Sequence, residues 1–324
     1  VLSVTSAIKN VSCYEAKNDG EISLNVSGGA SPYEFLWSNG RTTSKITLLK
    51  AAEYCVTITD ANGCEIYNCY TVEEPQPFVF VPTIDKPSCF GDTDGSIAME
   101  ITGGNAPYDF EWSTGLIEND KTISTISGLV KGSYWLDITD SKNCSASDTI
   151  VMAQPDSITI SASDIKNVSC NGGSDGYIQI NVSGGTTPYS DYFWAPDGQQ
   201  TKNISSVDAG IYSVTVTDNN GCSQGMDFQV SEPQPLFLAE KTTDHVDLTC
   251  PGDANGQLAV SAYGGSGLYE FSLDEIDWIQ DSVFTGLASG DHTLTVRDAN
   301  SIGCQYSLSP VTIQSPPAID ISAN

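Results

Sequence analysis

The sequence predicts an all-β protein: four tandem small antiparallel β-sandwich repeats set in an extended rod. Three observations predict this. Cysteines that open matching stretches fall at Cys13, Cys89, Cys170 and Cys250, spaced by 76, 81 and 80 residues, and a fixed period this long marks an array of similar domains. Within each period apolar residues alternate with polar ones, as in Ile178-Gln179-Ile180-Asn181-Val182, the pattern of a half-buried strand. Gly and Asn-Gly turns interrupt the runs roughly every 8 to 12 residues, and no long helical periodicity occurs, so six or seven strands per repeat and almost no helix are expected.

The repeats divide as 1–75, 76–155, 156–233 and 234–316. Residues 317–324 read as the first strand of a further repeat, because Pro317-Ala318-Ile319-Asp320-Ile321-Ser322-Ala323 resembles Asp156-Ser157-Ile158-Thr159-Ile160-Ser161-Ala162. Proline marks every junction: Glu74-Pro75-Gln76-Pro77, Gln154-Pro155-Asp156, Glu232-Pro233-Gln234-Pro235 and Ser315-Pro316-Pro317. Proline fixes φ and biases the residue before it to an extended form, so these junctions are short and stiff. A strand of seven or eight residues is about 25 Å long, so such repeats in line would reach on the order of 150 Å.

The first strand after each opening cysteine recurs as Ile22-Ser23-Leu24-Asn25-Val26, Ile97-Ala98-Met99-Glu100-Ile101 and Ile178 to Val182. An aromatic strand follows. Tyr33, Phe35 and Trp37 share one parity, as do Tyr108, Phe110 and Trp112, so each trio lies on one face. Core packing is the expected role, with a sugar- or peptide-binding face as the alternative. The third repeat inserts a residue here, Tyr189-Ser190-Asp191-Tyr192-Phe193-Trp194, which predicts a bulge. The fourth has Tyr269, Phe271 and Leu273, with its tryptophan displaced to Trp278.

Repeats of about 80 residues bury a modest share of their surface and need staples, and the chain carries 10 cysteines. One cysteine opens each repeat and one follows a turn near its end. Pairing within repeats is therefore expected: Cys13 with Cys64, Cys89 with Cys144, Cys170 with Cys222 and Cys250 with Cys304, at separations of 51, 55, 52 and 54 residues. Cys55 and Cys69 lie symmetrically about Asn62 in the turn Asp60-Ala61-Asn62-Gly63, which predicts a cross-strand disulfide. Regular cysteines of this kind belong to a secreted or surface protein.

Thirteen basic residues stand against 41 acidic ones, a net charge of −28. Nucleic acid and anionic membranes are poor partners for such a surface. No apolar run of about 18 residues exists to span a membrane. The acidic turns are the main polar feature. Asp19, Asp92, Asp94, Asp175, Asp253 and Asn255 follow the opening cysteines and could offer oxygens to Ca²⁺. The same residues are also what tight turns demand. Zinc has no Cys-x-x-Cys to bind, and the two histidines, His245 and His292, accompany no nucleophile motif, so no enzyme is expected. Trp135, Trp278 and Tyr70 break the repeat pattern and are candidates for carbohydrate contact.

The run Val168-Ser169-Cys170-Asn171-Gly172-Gly173-Ser174-Asp175-Gly176, the centre Ser183-Gly184-Gly185 to Trp194, and the close Tyr212-Ser213-Val214-Thr215-Val216-Thr217-Asp218-Asn219-Asn220-Gly221-Cys222 resemble the SprB repeat family. The first, second and fourth repeats depart at Tyr14-Glu15-Ala16, Phe90-Gly91 and Pro251-Gly252, and the fourth inserts Ser301-Ile302. The resemblance implies immunoglobulin-like sandwiches in a mobile cell-surface adhesin of gliding Bacteroidota, exported by type IX secretion and outer-membrane-associated. It implies a monomeric, disulfide-stapled stalk that spaces or multiplies weak contacts with an extracellular surface or polysaccharide. A dedicated array of carbohydrate-binding modules is the alternative. Asp148-Thr149-Ile150, Asp156-Ser157-Ile158 and Asp281-Ser282-Val283 resemble the O-glycosylation motif of such bacteria.

Overall fold

Strand pairing follows the alternation seen in the sequence. The structure is a computed structural model that describes residues 1–319. The expected opening strand at 317–324 lies largely outside the described residues. Among these, the single helical element is a 3₁₀ turn at Thr242–Asp244. Residues 1–156 and the described residues from 157 onward form two compact halves, each holding two of the repeats.

The first repeat contains β1 (Ser3–Lys9), β2 (Gly20–Ser27), β3 (Glu34–Trp37), β4 (Lys45–Leu49), β5 (Ala52–Thr59) and β6 (Glu65–Val72). They form two three-stranded antiparallel sheets, β1-β2-β4 and β3-β5-β6. This is the immunoglobulin-like arrangement without the fourth strand of its first sheet. The second repeat adds a strand to one sheet. It contains β7 (Val79–Asp85), β8 (Gly95–Thr102), β9 (Tyr108–Trp112), β10 (Ile117–Lys121), β11 (Ile123–Leu129), β12 (Gly132–Asp140) and β13 (Ser145–Met152), in sheets β7-β8-β11 and β10-β9-β12-β13.

The third repeat returns to six strands: β14 (Thr159–Lys166), β15 (Gly176–Ser183), β16 (Tyr189–Ala195), β17 (Ile204–Val207), β18 (Gly210–Asp218) and β19 (Ser223–Val230). The register of β16 against β18 shifts between Tyr189 and Asp191, at the inserted residue. The fourth repeat contains β20 (Gln234–Glu240), β21 (Gly256–Gly265), β22 (Tyr269–Leu273), β23 (Val283–Leu287), β24 (Gly290–His292), β25 (Leu294–Asp298), β26 (Ser301–Ser307) and β27 (Val311–Ile313). Its last two long strands are each broken in two, so β24-β27 form a separate pair.

Each repeat has its own core. In the first it gathers Ile22, Leu24, Trp37, Ile46, Val56 and Ile58, with Tyr33 and Phe35 packed at its margin. Tyr108, Phe110 and Trp112 are all buried in the second. The aromatic strand is thus core rather than an open binding face. The buried indoles keep their N–H groups satisfied: Trp37 donates to Thr43 O at 2.9 Å, Trp112 to Ser124 Oγ at 2.8 Å and Trp194 to Thr201 O at 2.9 Å. Truncating any one to alanine would cost about 3–5 kcal/mol.

Two further ties recur. The hydroxyls of Tyr33, Tyr108, Tyr189 and Tyr269 donate to Gly28, Gly103, Gly184 and Gly264 carbonyls at 2.5–2.9 Å. Tyr54, Tyr134 and Tyr212 reach back four residues to Lys50, Val130 and Asp208 carbonyls at 3.0–3.2 Å, a tyrosine corner. In the fourth repeat His292 Nε2 takes that place, 3.1 Å from Ala288 O.

Chain direction fixes which loops meet. β2 runs against both β1 and β4, and β5 against both β3 and β6. Val11 N donates to Glu73 O, while Ala61 N donates to Ala30 O. The β1–β2 loop and the end of β6 therefore share one end of the sandwich. The β2–β3 loop and the β5–β6 turn share the other. An eight-residue strand separates those ends by roughly 25 Å.

Candidate functional site

The expected pairings within repeats do not form. A disulfide holds its Cα atoms within about 7 Å, whereas Cys13 lies at one end of its sandwich and Cys64 at the other. Cys13 is bonded instead to Cys144 of the second repeat, with Cα atoms 5.6 Å apart. Cys170 is bonded to Cys304 of the fourth repeat, Cα atoms 5.4 Å apart. The opening cysteine of one repeat thus joins the closing cysteine of the next. These two bonds replace the expected Cys13–Cys64, Cys89–Cys144, Cys170–Cys222 and Cys250–Cys304 pairs. Cys64 and Cys250 are exposed free thiols. Neither Cys89 nor Cys222 is free. Cys55 and Cys69 do face each other across β5 and β6 and are bonded, as their symmetry about Asn62 predicts.

The first staple is built by local hydrogen bonds. Asn10 Oδ1 accepts Glu73 N at 3.0 Å, tying the β1–β2 loop to the end of β6. Ser12 donates its N–H and hydroxyl to the Asp19 carboxylate at 2.9 and 2.8 Å. Its carbonyl faces the second repeat, where Asn105 Nδ2 donates to it at 2.8 Å and Cys144 Sγ lies 3.1 Å away. On the other side Asp140 shapes the turn that carries Cys144. Its Oδ1 accepts Lys142 N at 2.8 Å and Cys144 N at 2.9 Å. Its Oδ2 accepts both nitrogens of Asn105 at 2.8 and 2.9 Å. Lys17 Nζ donates to Lys142 O at 3.0 Å across the same junction. The linker is clamped as well. Gly104 N donates to Gln76 O at 2.8 Å, and at Gly103 (φ +82°) a Cβ would lie 1.9 Å from Pro77 O, so the close approach requires glycine.

The third and fourth repeats reproduce this. Asn167 Oδ1 accepts Ser231 N at 2.9 Å. Ser169 donates its N–H and hydroxyl to Asp175 at 2.8 and 2.5 Å. Cys304 Sγ lies 3.3 Å from Ser169 O, and Asp298 accepts Asn300 N at 2.9 Å and Ser266 Oγ at 2.6 Å.

Donors clustered on these carboxylates favour their charged form. The Ser12 N–H, against some opposing burial, then the Ser12 hydroxyl and the Lys9 ammonium, hold Asp19 at about 2. Lys166 and Ser169 hold Asp175 well below the usual carboxylate range. Burial alone would raise Asp140 and Asp298; the donors from Asn105 and Cys144, and from Ser266, outweigh it and lower both.

The calcium candidates occupy these loops. Asp19, Asp94 and Asp175 accept from the serine before the opening cysteine: Ser12, Ser88 and Ser169. Asp253 Oδ2 accepts the Thr249 hydroxyl at 3.2 Å, and Asn255 Nδ2 donates to that hydroxyl at 2.6 Å. Asp92 enters through its N–H, which donates to Cys89 O at 3.2 Å. The arrangement does the work of turn chemistry. Among the described residues, the cluster with metal-ligand spacing is Glu53, Cys55 and Cys69, and its two sulfurs are bonded to each other.

The remaining candidates separate. Tyr70 packs against Trp37 at 6.2 Å between ring centroids. Trp278 lies under the Arg297 guanidinium at 4.2 Å, which also pairs with Glu270 at 2.6 Å. Trp135 is 45% exposed and lines a shallow groove of about 400 Å³ with Asp137, Ser147, Asp148 and Thr149. His245 bridges Glu240 at 2.6 Å and Asp247 at 3.2 Å. His292 is 2.9 Å from Asp274. Both histidines hold loops together. Thr149 and Ser157 of the glycosylation-like triplets are exposed, and Ser282 is half-buried.

Sequence reasoning missed the inter-repeat bonds. A signal existed: Ser12, Ser88, Ser169 and Thr249 each precede a cysteine and stand six or seven residues before Asp19, Asp94, Asp175 and Asn255. That spacing marks one loop built four times.

No curated protein matches the sequence. Among solved structures, three N-terminal domains of the bacteriophage RB49 outer capsid protein Hoc are 13% identical, cover 72% of this chain and 95% of their own, and superpose at a TM-score of 0.37. Sidekick-1 immunoglobulin domains 1–5 are 11% identical, covering 95% and 76%, at 0.35. A C-terminal intimin fragment, solved with the intimin-binding domain of its translocated receptor, is 12% identical, covering 52% and 69%, at 0.28. Likenesses this distant carry no functional argument. The SprB repeat profile matches residues 5–42, 82–116, 157–195 and 242–277. One match falls at the opening strands of each sandwich, around each opening cysteine, so the chain carries four matches to the SprB repeat.

Proposed function

We propose that this chain is a segment of a mobile cell-surface adhesin of gliding Bacteroidota, in which SprB repeats form a covalently stapled spacer. The observation that carries the reading is that Cys13–Cys144 and Cys170–Cys304 run between successive repeats. A bond inside one sandwich protects that sandwich alone. A bond between two carries tension past both of them. Such a spacer holds a gripping surface away from the cell, or presents many weak contacts whose combined strength exceeds any one of them. The strong negative charge favours a dispersed, self-repelling extracellular surface. The role proposed is non-catalytic and needs no cofactor; export by type IX secretion and attachment at the outer membrane belong to the same reading.

The test is attachment of gliding cells under flow, with Cys13→Ser and Cys170→Ser placed together in the surface protein. The expected result is normal attachment at rest and loss at high shear. Undiminished attachment at high shear would overturn the tension-bearing role.

Trp135 favours a second reading, a carbohydrate-binding module. Its exposed ring stands beside Asp137, Asp148 and Thr149, and an aromatic face with flanking polar groups suits a sugar ring. A glycan array with the parent chain and Trp135→Ala tests this. Equal signals from both, or none from either, would remove it.

A further inference from the structure

We propose that Cys64 and Cys250 are complementary half-staples, completed by another SprB repeat, and that a second copy of this chain is a sufficient partner, joined Cys250 to Cys64. The inference rests on the staple geometry and not on the adhesion reading, so either can fail without the other.

Each free thiol sits in the frame that carries a bonded one. Cys64 N donates to Asp60 Oδ1 at 2.9 Å and Asp60 N to Cys64 O at 3.0 Å. The bonded Cys144 has the same two bonds to Asp140, at 2.9 and 2.9 Å. Asp60 also holds the neighbouring β2–β3 loop through Ala30 N at 3.1 Å, as Asp140 does through Asn105. At the other end, Asp253 N donates to Cys250 O at 3.2 Å, matching Gly173 N to Cys170 O at 3.0 Å. Leu248 N donates to Gln314 O at 3.0 Å, matching Val168 N to Ser231 O at 3.0 Å. Thr249 and Asn255 replace the Ser169–Asp175 pair. What differs is cover. Cys13 and Cys144 are 3% and 7% exposed, whereas Cys64 and Cys250 lie open. One frame lacks its opening cysteine and the other its closing cysteine. The two are the halves that Cys13–Cys144 and Cys170–Cys304 already show united.

The step needs an oxidant, and a small-molecule disulfide supplies it. The Cys64 thiolate attacks one sulfur of that disulfide, forming a mixed disulfide and releasing one small thiol. The Cys250 thiolate of a second copy then attacks the protein-side sulfur, forming the Cys64–Cys250 bond and releasing the second small thiol. The two cysteine protons end on the two departing thiolates, so one small disulfide is reduced for each protein disulfide formed.

The test uses the full chain and its single variants Cys64→Ser and Cys250→Ser, incubated with a glutathione disulfide and thiol mixture. Non-reducing electrophoresis and peptide mapping by mass spectrometry give the readout. The parent should form a ladder of dimers and longer species. Each variant alone should stay monomeric, and their mixture should give one dimer, linked Cys64 to Cys250, at least about tenfold faster than either homodimer. Peptide mapping of Cys13–Cys144 confirms that each variant is folded. The proposal is overturned if either variant dimerises with itself as fast as the mixture does. It is also overturned if the mixture stays monomeric where Cys13–Cys144 re-forms after reduction.

Discussion

Cys13 and Cys144 are bonded across 131 residues of sequence and from one sandwich to the next. Ser12, beside Cys13, offers its carbonyl to Asn105 at 2.8 Å, so covalent and polar contacts converge on one junction. In the chain-entropy model closing a loop of this size destabilises the unfolded chain by about 5 kcal/mol, by removing its conformational entropy. The consequence differs from that of a bridge inside a domain, because both repeats must unfold before the whole loop is released.

Force measurement checks this directly. When the oxidised chain is pulled from its ends, the segment between Cys13 and Cys144, a sequence separation of 131, is bypassed by the bond and should add nothing to its extension. Full reduction should let that segment contribute on the order of 450 Å, at about 3.5 Å per residue. An oxidised chain that reaches its full contour length would contradict the staple.

Asp140→Asn should weaken the first half of the molecule. The carboxylate is buried and accepts four N–H bonds, from Lys142, Cys144 and both nitrogens of Asn105. An amide cannot accept all of them, and hydrogen bonds to a charged group are worth more than neutral ones. The expected loss is about 2 kcal/mol in denaturant unfolding. The same site gives an acid limb. The Asp140 pKa is lowered from 3.8, so its contribution is present above that value and is lost as pH falls through the depressed folded one. Asp140→Asn should flatten that limb.

His292 should make the fourth repeat weaken in base. Burial alone would lower its pKa. The Asp274 carboxylate and the Ala288 carbonyl outweigh burial and raise it above 6.5. Stability from the protonated ring is therefore complete below 6.5 and is lost as pH rises through the raised folded value. His245, raised chiefly by Glu240, has the same sign. Thermal melts from about pH 6 upward should show a falling midpoint, and His292→Tyr should remove the His292 share while the His245 share persists. An unchanged slope in His292→Tyr would contradict the assignment.

Calcium chelation should leave the melting temperature of the oxidised chain unchanged. Asp19 and Asp175 already accept paired N–H and O–H donors from Ser12 and Ser169, so a cation would have to compete with those donors. A midpoint that rises with added Ca²⁺ would show that the loops reorganise around the ion.

Much of the fold was legible. The Ile22 and Ile178 strands alternate in burial as they alternate in sequence. The insertion before Tyr192 became a register shift. The symmetry of Cys55 and Cys69 about Asn62 gave their bridge, because a hairpin turn sets register locally. His292 was legible only as a lone histidine. Its place four residues after Ala288 acquires meaning once Tyr54, Tyr134 and Tyr212 are seen reaching back by the same step.

The sequence by itself determined the number of repeats, their strands and the loops that carry cysteine, because period and alternation are local properties of the chain. Only the tertiary structure decided which cysteines meet. β3 and β4 run in the same direction in different sheets, as their pairings with β5 and β2 require, and the connection between them crosses from one sheet to the other. That crossing puts Cys13 and Cys64 at opposite ends of one sandwich, roughly a strand length apart. The chain then leaves β6 at the Cys13 end and presents the far end of the next sandwich there, with Cys144 in its turn. Strand direction, rather than sequence separation, chose the partner.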